Sequence, residues 1–374
     1  MNNATKWVIG VIIAIAVIAV GYTLYKGPSQ PVSTESIKIG VLTPLTGQIA
    51  EYGQNVKAGL DLAVQEINNN GGVNGKKIQL IYQDTKCDPK ETTSAFNNLV
   101  DIQGIKYILG SVCSSEVLAI APLANNKKVI IIGAAASSPD ITNAGDYIFR
   151  VYPSDDYEAK VAAETIYNKL DKKSSAIIYL NNDYGKALKD VFESYYKNLG
   201  GNIVDSEGYE QSAKDFRTQL VKIKEKNPEA VYMISYPVDG GLLVKQARAL
   251  NINSQFIGTS GSKGTDIIKN GGNATEGLMA ITIAGATGMA AQKFNQSYEN
   301  YYGKKPGMFA DRGYDSLYVL AKAIEGVSGD VKNNLYLIKD FDGASGKIIF
   351  NSNGDIEGQN YDVFVVKNGE FVKY

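Results

Sequence analysis

Short apolar runs alternate with longer segments of helical periodicity along most of this chain. The run "IKIGVLTPL", which contains Ile37, is rich in β-branched and apolar residues and predicts a strand. The segment "EYGQNVKAGLDLAVQEINNNGG" follows with apolar residues at helical spacing, and Gly71 and Gly72 end the predicted helix. "KYILG" and "VIIIGAA" are apolar on both faces, as strands are when helices cover both sides of a parallel sheet. The first part of the chain therefore predicts an α/β fold.

The same alternation starts again after "YIFRVYPSDD". "SAIIYLNN", "AVYMISYP" and "SQFIGTS" predict strands, and segments such as "YGKALKDVFESYYKNLG" and "GGLLVKQARALN" predict the helices between them. The end of the chain predicts a hairpin, with Asn353-Gly354 and Asn368-Gly369 as turn signals. Two such series predict two doubly wound, Rossmann-like lobes, each built on a parallel sheet.

The extreme N-terminus follows neither pattern. Trp7–Leu24 is apolar and uncharged. As a helix it would reach about 27 Å, close to the ~30 Å hydrocarbon core of a bilayer. With Lys6 before it, we predict a signal peptide or an N-terminal membrane anchor over residues 1–25. Residues 26–36, "KGPSQPVSTES", read as a flexible tether. The rest of the chain is then expected outside the cytoplasm, tethered by this segment or secreted after its cleavage.

Composition narrows the functions that the chain can have. Lys and Arg total 38 against 39 Asp and Glu, and the net charge of −1 argues against a nucleic-acid partner. The 374 residues include no histidine, so no Ser-His or Cys-His pair can activate a nucleophile, and histidine-containing zinc sites are excluded. No glycine-rich phosphate motif follows a strand. We predict a protein that is not an enzyme and that uses no metal and no cofactor.

The two cysteines fit an exported protein. Cys87 and Cys113 are 113 − 87 = 26 positions apart. Outside the cytoplasm a disulfide between them is the default expectation. It would contribute about 3–4 kcal/mol of stability by the chain-entropy argument. Two free, buried thiols are the alternative.

The stretch "ILGSVCSSEV", Ile108–Val117, places small residues and hydroxyls where a strand turns into a helix. Such a turn could hold a nucleophile, or it could hold a ligand without altering it. "TPLTGQIAEYG", "DTKCDPK" and "GAAASSPD" follow other predicted strands in the same way. Because ligands of open parallel sheets bind beyond the carboxyl ends of the strands, near helix N-termini, we expect these loops to form a binding site. The absence of histidine favours the hypothesis that the turn at Ile108–Val117 holds a ligand without altering it.

The segment "IGVLTPLTGQIAEYGQNVKAGLDLAVQEINNNGGVNGKKIQLIYQDTKCDPK", together with "GSVCSSE" after it, resembles the leucine/isoleucine/valine-binding proteins of ABC transporters. These are type I periplasmic binding proteins, and the resemblance covers residues 36–374. It implies a disulfide between Cys87 and Cys113. It also implies three crossovers between the lobes, near residues 152–154, 281–284 and 358–362. Lobe 1 would then comprise residues 36–152 and 283–358, and lobe 2 residues 153–282 and 359–374.

The resemblance also implies a ligand site. Ser114, Ser137 and the backbone of Ala135 match the positions that hold a ligand carboxylate in the family. Helix-start amides and hydroxyls suit that task, because they stabilise an anion without a buried cation. The aromatic positions of the family match Tyr52, Tyr184 and Phe309. The match is looser around "SYPVD", where either Ser235 or Tyr236 could face the cleft.

The chain departs from the family at the position that holds the ligand ammonium. Branched-chain binders have a glutamate there, and this chain has Ser260. Carbonyls, hydroxyls and aromatic faces could bind an ammonium instead. Asp239, Asp311 and Asp315 are candidate substitutes; a solvated surface role is the alternative for Asp239, and for Asp315 we favour a structural role.

The resemblance, together with the apolar N-terminal segment, implies an extracytoplasmic, monomeric solute-binding protein of an ABC importer, with a permease as its partner. The expected ligand bears a carboxylate, and the first candidate is an amino acid, branched-chain or related. The ligand-binding region of a tethered sensory receptor is the alternative.

Overall fold

A computed structural model describes residues 36–374 of the chain. The predicted signal peptide or anchor at 1–25 lies outside the described residues, as does the predicted tether at 26–36 apart from Ser36. Between Ser36 and the C-terminus, no helix is both long and apolar enough to span a bilayer.

The described chain alternates strands and helices in the predicted order. The strands are β1 (Ile37–Thr43), β2 (Ile78–Asp84), β3 (Tyr107–Gly110), β4 (Ile130–Gly133), β5 (Ile148–Arg150), β6 (Ser174–Leu180), β7 (Asn202–Tyr209), β8 (Ala230–Ile234), β9 (Gln255–Gly258), β10 (Met279–Ile283), β11 (Phe341–Gly343), β12 (Gly346–Ile348), β13 (Tyr361–Lys367) and β14 (Glu370–Lys373). The helices are α1 (Ala50–Asn69), α2 (Pro89–Asn97), α3 (Ser114–Lys127), α4 (Asp155–Glu164), α5 (Asp183–Asn198), α6 (Arg217–Lys226), α7 (Pro237–Ala249), α8 (Thr265–Gly271), α9 (Met289–Tyr302), α10 (Ala310–Glu325) and α11 (Val331–Tyr336).

The first sheet has the strand order β2-β1-β3-β4-β5, and all its pairings are parallel. Every residue of β4 is buried, as are Ile108 to Gly110 of β3. Helices on both faces account for these uninterrupted apolar runs. The carboxyl ends of β1, β3 and β4 lead into the loops that the sequence analysis predicts to form a binding site.

The second sheet has seven strands in the order β14-β13-β10-β9-β8-β6-β7. Its strands from β7 to β10 are parallel, whereas β13 pairs antiparallel with β10 and with β14. The C-terminal hairpin thus closes one edge of a sheet that the alternation predicted as parallel. Its turn is at Asn368 and Gly369, whose φ values of 55° and 76° are those of the tight turns that favour these residues.

Helices α9 and α10 return to the first sheet, although they follow β10 in the chain. Helix α10 lies against α1 through two glycines. A Cβ on Gly59 would stand 1.8 Å from the Ala310 carbonyl oxygen, and one on Gly313 would stand 2.4 Å from that of Val56. The two helix backbones are therefore closer than any side chain permits.

The chain passes between the two sheets after β5, after β10 and before β13. Below we call the first sheet with its helices lobe 1 and the second sheet with its helices lobe 2. We propose residues 36–152 with 283–358, and 153–282 with 359–374, as the limits of these lobes. Asp355, near the third passage, receives two hydrogen bonds from buried Arg150, at 2.6 and 2.9 Å, which fasten this turn to β5.

Candidate functional site

A disulfide and a buried hydrogen bond anchor the start of α3 in the cleft between the lobes. The structure joins Cys113, which precedes the helix, to Cys87 through a disulfide. The carboxylate of Glu116 accepts a hydrogen bond from the Cys113 backbone N–H at 3.3 Å, and burial raises the pKa of this carboxyl to about 7. The disulfide and this bond hold the first turn of α3 towards the pocket.

Ser114 ties this helix start to the loop after β4. Its Oγ accepts hydrogen bonds from the backbone N–H groups of Ser137 and Ser138, at 3.2 and 3.0 Å. Because the Ser114 oxygen accepts in both bonds, its own proton remains to be donated to a ligand. Ser137 differs, because its hydroxyl donates to Oδ2 of Asp155 at 2.9 Å. Ser114 can therefore hold an anion without rearrangement, whereas Ser137 cannot.

Aromatic rings form the other walls. On lobe 1, Phe309 meets Tyr52 edge-on at 4.9 Å between ring centroids and Tyr152 at 5.5 Å. Phe309 has a φ of 69°, a left-handed conformation that is unfavourable for a bulky residue and that directs the ring to this position. On lobe 2, the rings of Tyr184 and Tyr236 are stacked at 5.8 Å, and the Tyr184 hydroxyl bonds to Thr259 Oγ1 at 2.8 Å.

Hydrogen bonds join the two lobes across the cleft. The Tyr52 hydroxyl donates to the carbonyl oxygen of Lys263 at 2.8 Å and to that of Gly261 at 3.3 Å. Glu51 accepts from the Thr265 hydroxyl at 2.9 Å. These contacts hold a closed arrangement of the lobes.

All the predicted site residues line one narrow pocket between the lobes. They are Tyr52, Ser114, Ala135, Ser137, Tyr184, Tyr236, Ser260 and Phe309, and Val112, Tyr152 and Gly261 complete the lining. A larger and more open neighbouring cavity shares Tyr152 and Phe309 with it. We favour the smaller pocket because the helix start and the stacked tyrosines face it alone.

The three aspartates considered as substitutes for the missing glutamate lie elsewhere. Asp239 is buried outside the pocket lining, and burial raises its pKa to about 7. Asp311 lines the neighbouring cavity. Asp315 accepts hydrogen bonds from the backbone N–H groups of Ala344 and Ser345, both at 2.8 Å, which is a structural role. Ser235, weighed against Tyr236, is buried but does not line the pocket.

The sequence interpretation missed two carboxylates in the first turn of α4. Asp155 and Glu158 are 1% and 0% exposed. Burial raises the pKa of Asp155 to about 7; burial, and then the nearby Asp155 charge, raise the pKa of Glu158 well above its ordinary value. Glu158 accepts hydrogen bonds from the backbone N–H of Ser260, at 3.0 Å, and from the Ser260 hydroxyl. The sequence signal that could have indicated them is their i, i+3 spacing in "PSDDYEAK", which places both on one face of a helix.

Comparisons with known proteins match the whole described region. A family model described as periplasmic binding protein covers residues 36–370. The Leu/Ile/Val-binding protein BraC3 of Rhizobium johnstonii is 30% identical over 348 residues, which are 91% of this chain and 95% of that protein.

Solved structures match the fold equally well. The leucine binding protein LivK of Thermotoga maritima has a TM-score of 0.85 and 30% identity, over 90% of this chain and 97% of its own. The branched-chain amino acid transporter substrate binding protein LivJ of Streptococcus pneumoniae, in complex with isoleucine, has a TM-score of 0.82 and 28% identity, over 91% and 100%.

Proposed function

The chain belongs to the periplasmic binding protein family, and from this premise we propose that it is the extracytoplasmic solute-binding protein of an ABC importer. It captures a small carboxylate-bearing ligand, an amino acid of the branched-chain or a related type, and catalyses no reaction on it. The pocket between the lobes, with the start of α3 on one side and aromatic rings on the others, is the observation that carries this proposal.

The carboxylate of the ligand binds at the start of α3. The Ser114 hydroxyl has a proton to donate, and the first backbone N–H groups of a helix favour an anion. No cation is needed there, and none of the residues that line the pocket is a lysine or an arginine.

The ligand side chain lies among the rings of Tyr52, Tyr184, Tyr236 and Phe309, because these supply an apolar surface. Isoleucine is bound in the S. pneumoniae relative, and the R. johnstonii relative is named for leucine, isoleucine and valine. These names support an apolar amino acid as the ligand of this chain.

Capture proceeds by closure of lobe 2 on a ligand that first binds to lobe 1. The bonds from Tyr52 to the Gly261 and Lys263 carbonyls can form only when the lobes are together. A ligand that contacts both lobes stabilises that closed state relative to the open one. The closed protein then delivers the ligand to a membrane permease, as a monomer anchored or released through its N-terminal segment.

A ligand screen tests this function. The full-length chain, purified in mild detergent, is heated with each of the L-amino acids, their amides and small carboxylates, and unfolding is followed by circular dichroism. Ligand that binds only the folded state raises its stability by about 2.7 kcal/mol at a hundredfold excess over Kd. We expect apolar amino acids to give the largest shifts. Stabilisation by amides or uncharged solutes alone would contradict a carboxylate site at Ser114.

A further inference from the structure

Two buried carboxylates stand directly behind the pocket wall. Asp155 and Glu158 are one helical turn apart and share a face of α4. Asp155 accepts a hydrogen bond from the Ser137 hydroxyl, and Glu158 accepts one from the Ser260 hydroxyl. Both serines line the pocket, so a single serine hydroxyl lies between each carboxylate and a bound ligand.

The positive charge of Arg150 only partly offsets the effect of burial on the pKa of Asp155, and no cation of the described chain forms an ion pair with either carboxylate. Within residues 36–374, no ion pair includes Asp155 or Glu158. Arg150 is committed to Asp355 by two hydrogen bonds. Oδ1 of Asp155 is buried and has no hydrogen-bond partner in the described part of the chain. Because a buried carboxylate is unfavourable without a positive partner, a cationic group in the pocket would be strongly stabilised.

Two buried tyrosines, Tyr152 and Tyr232, lie close enough to Glu158 for its charge to act on them. Burial, and after it the Glu158 charge, raise the pKa values of Tyr152 and Tyr232. Tyr152 also lines the pocket. Carboxylates among aromatic faces are the setting in which proteins bind ammonium groups.

The two serines are oriented to accept hydrogen bonds from the pocket side. A serine hydroxyl has one proton and two acceptor positions. Ser137 and Ser260 each use that proton to donate a hydrogen bond to a carboxylate, which leaves their oxygens to accept hydrogen bonds from a ligand. The backbone N–H of Ser137 donates to Ser114 at 3.2 Å, so this acceptor side adjoins the donor that holds the ligand carboxylate. An acceptor beside an anion site matches a ligand whose ammonium and carboxylate share one carbon atom.

We propose that Asp155 and Glu158, acting through Ser137 and Ser260, form the subsite for the ligand ammonium, so that this protein selects α-amino acid zwitterions over carboxylates without an amine. The inference rests on the proposed function. Glu158 supplies from α4 the carboxyl group that Ser260, in the loop after β9, lacks, and an ammonium group in the pocket favours its ionised form. Ser137 thereby belongs to the ammonium subsite instead of the carboxylate subsite that the family resemblance implies.

Matched ligand pairs test the subsite in the unaltered protein. Each L-amino acid is compared with the acid that lacks only its ammonium group, such as L-leucine with 4-methylpentanoate, by calorimetric titration of the full-length chain. We expect the amino acid of a pair to bind at least about tenfold more tightly, since hydrogen bonds to charged groups are worth about 1.5–3 kcal/mol. Equal affinity within the pairs would overturn the subsite and leave the proposed function standing. No binding of either member of any pair would overturn both.

Variants then assign the effect to Glu158. Glu158→Gln keeps an acceptor for the Ser260 N–H but removes the charge, and it should abolish the preference within each pair. Glu164→Gln makes the same change on the same helix, at a residue outside the pocket lining, and should preserve it. The double variant Glu158→Gln/Ser260→Glu should restore it, because it returns a carboxylate to the same place. A Glu158→Gln variant that folds, as judged by circular dichroism, and keeps the wild-type preference contradicts the assignment.

Discussion

At the residue scale, the direction of single hydroxyl protons decides what each serine of the pocket can bind. Ser114 and Ser137 are both serines at a helix or loop start, and the sequence gives them the same role. Ser114 receives two backbone N–H bonds and can donate, whereas Ser137 donates to Asp155 and can only accept. The difference depends on a carboxylate that lies 18 residues from Ser137 in the sequence. No local pattern could distinguish the two.

The Tyr52 hydroxyl contacts lobe 2 while the Tyr52 ring lines the pocket, so its removal should affect ligand release. Tyr52→Phe keeps the ring but removes the bonds to the Gly261 and Lys263 carbonyls. A neutral hydrogen bond is worth about 0.5–1.5 kcal/mol, so ligand affinity should fall about two- to tenfold, with faster dissociation. Stopped-flow measurement of ligand release checks this.

Tyr302→Phe is the matched control for Tyr52→Phe. The Tyr302 hydroxyl donates to the Ala58 carbonyl at 3.1 Å, within lobe 1. The control should lower the unfolding midpoint slightly and leave the release rate unchanged. If both variants release ligand at the same rate, the Tyr52 bonds do not hold the closed state.

At the element scale, local sequence patterns predict most strands and helices. They do not predict which strands pair with each other or how the helices pack. The apolar runs at β1, β3, β4, β6 and β8 and the helical periodicity of α1, α3 and α5 predict those elements. Asn368 and Gly369 predict the final turn, but nothing local indicates that β13 pairs with β10. The structure places Asp155 and Glu158 in the first turn of α4, and their burial depends on how α4 packs in lobe 2. Sequence periodicity therefore predicts elements, and tertiary packing decides which side chains they bury.

The crossing of α1 and α10 gives a prediction about packing. Gly313→Ala would place a Cβ 2.4 Å from the Val56 carbonyl oxygen, so the helices must separate. Overpacking of this kind costs about 1–3 kcal/mol or more. Denaturant unfolding should show that loss.

Gly285→Ala is the control for this crossing. Gly285 lies in the loop after β10, and a Cβ there would meet nothing within 4 Å. Its effect on the free energy of unfolding should stay within about 0.5 kcal/mol, as for most surface substitutions. A Gly313→Ala protein as stable as Gly285→Ala would show that the helices are not in close contact.

At the scale of the whole molecule, several buried carboxyls share one sign of pKa shift. Burial raises the pKa to about 7 for Glu116, Asp155 and Asp239, and to about 6 for Asp315. Between the ordinary carboxyl pKa of about 4 and these values, the folded state holds protons that the unfolded state has lost. The free energy of unfolding should therefore fall as the pH rises from about 4 to about 7.

The measurement for this pH dependence is the thermal midpoint of the ligand-free protein at pH 5, 6, 7 and 8. The midpoint should decrease across this series, and Asp239→Asn should make the decrease smaller, because its carboxyl no longer contributes. Asp171→Asn is the control, since the Asp171 side chain is 86% exposed. A midpoint that rises with pH would show that these carboxyls are not buried in the folded protein.

The pocket itself could be predicted to a large extent, because the resemblance to a known family placed eight residues from distant parts of the chain around it. Asp155 and Glu158 escaped prediction because the resemblance pointed to position 260, whereas the carboxylates come from another element. The central claim is that the start of α3 holds the carboxylate of an amino acid.

Calorimetric titration of the wild type, Ser114→Ala and Ser115→Ala with the L-amino acid that gives the largest thermal shift tests this claim most directly. Ser115 is the next residue of α3 and does not line the pocket. We predict one binding site per chain, an affinity at least about tenfold weaker in Ser114→Ala from the loss of a bond to a charged group, and an unchanged affinity in Ser115→Ala. Equal affinity of the wild type and Ser114→Ala, or no binding of any amino acid, would contradict the claim.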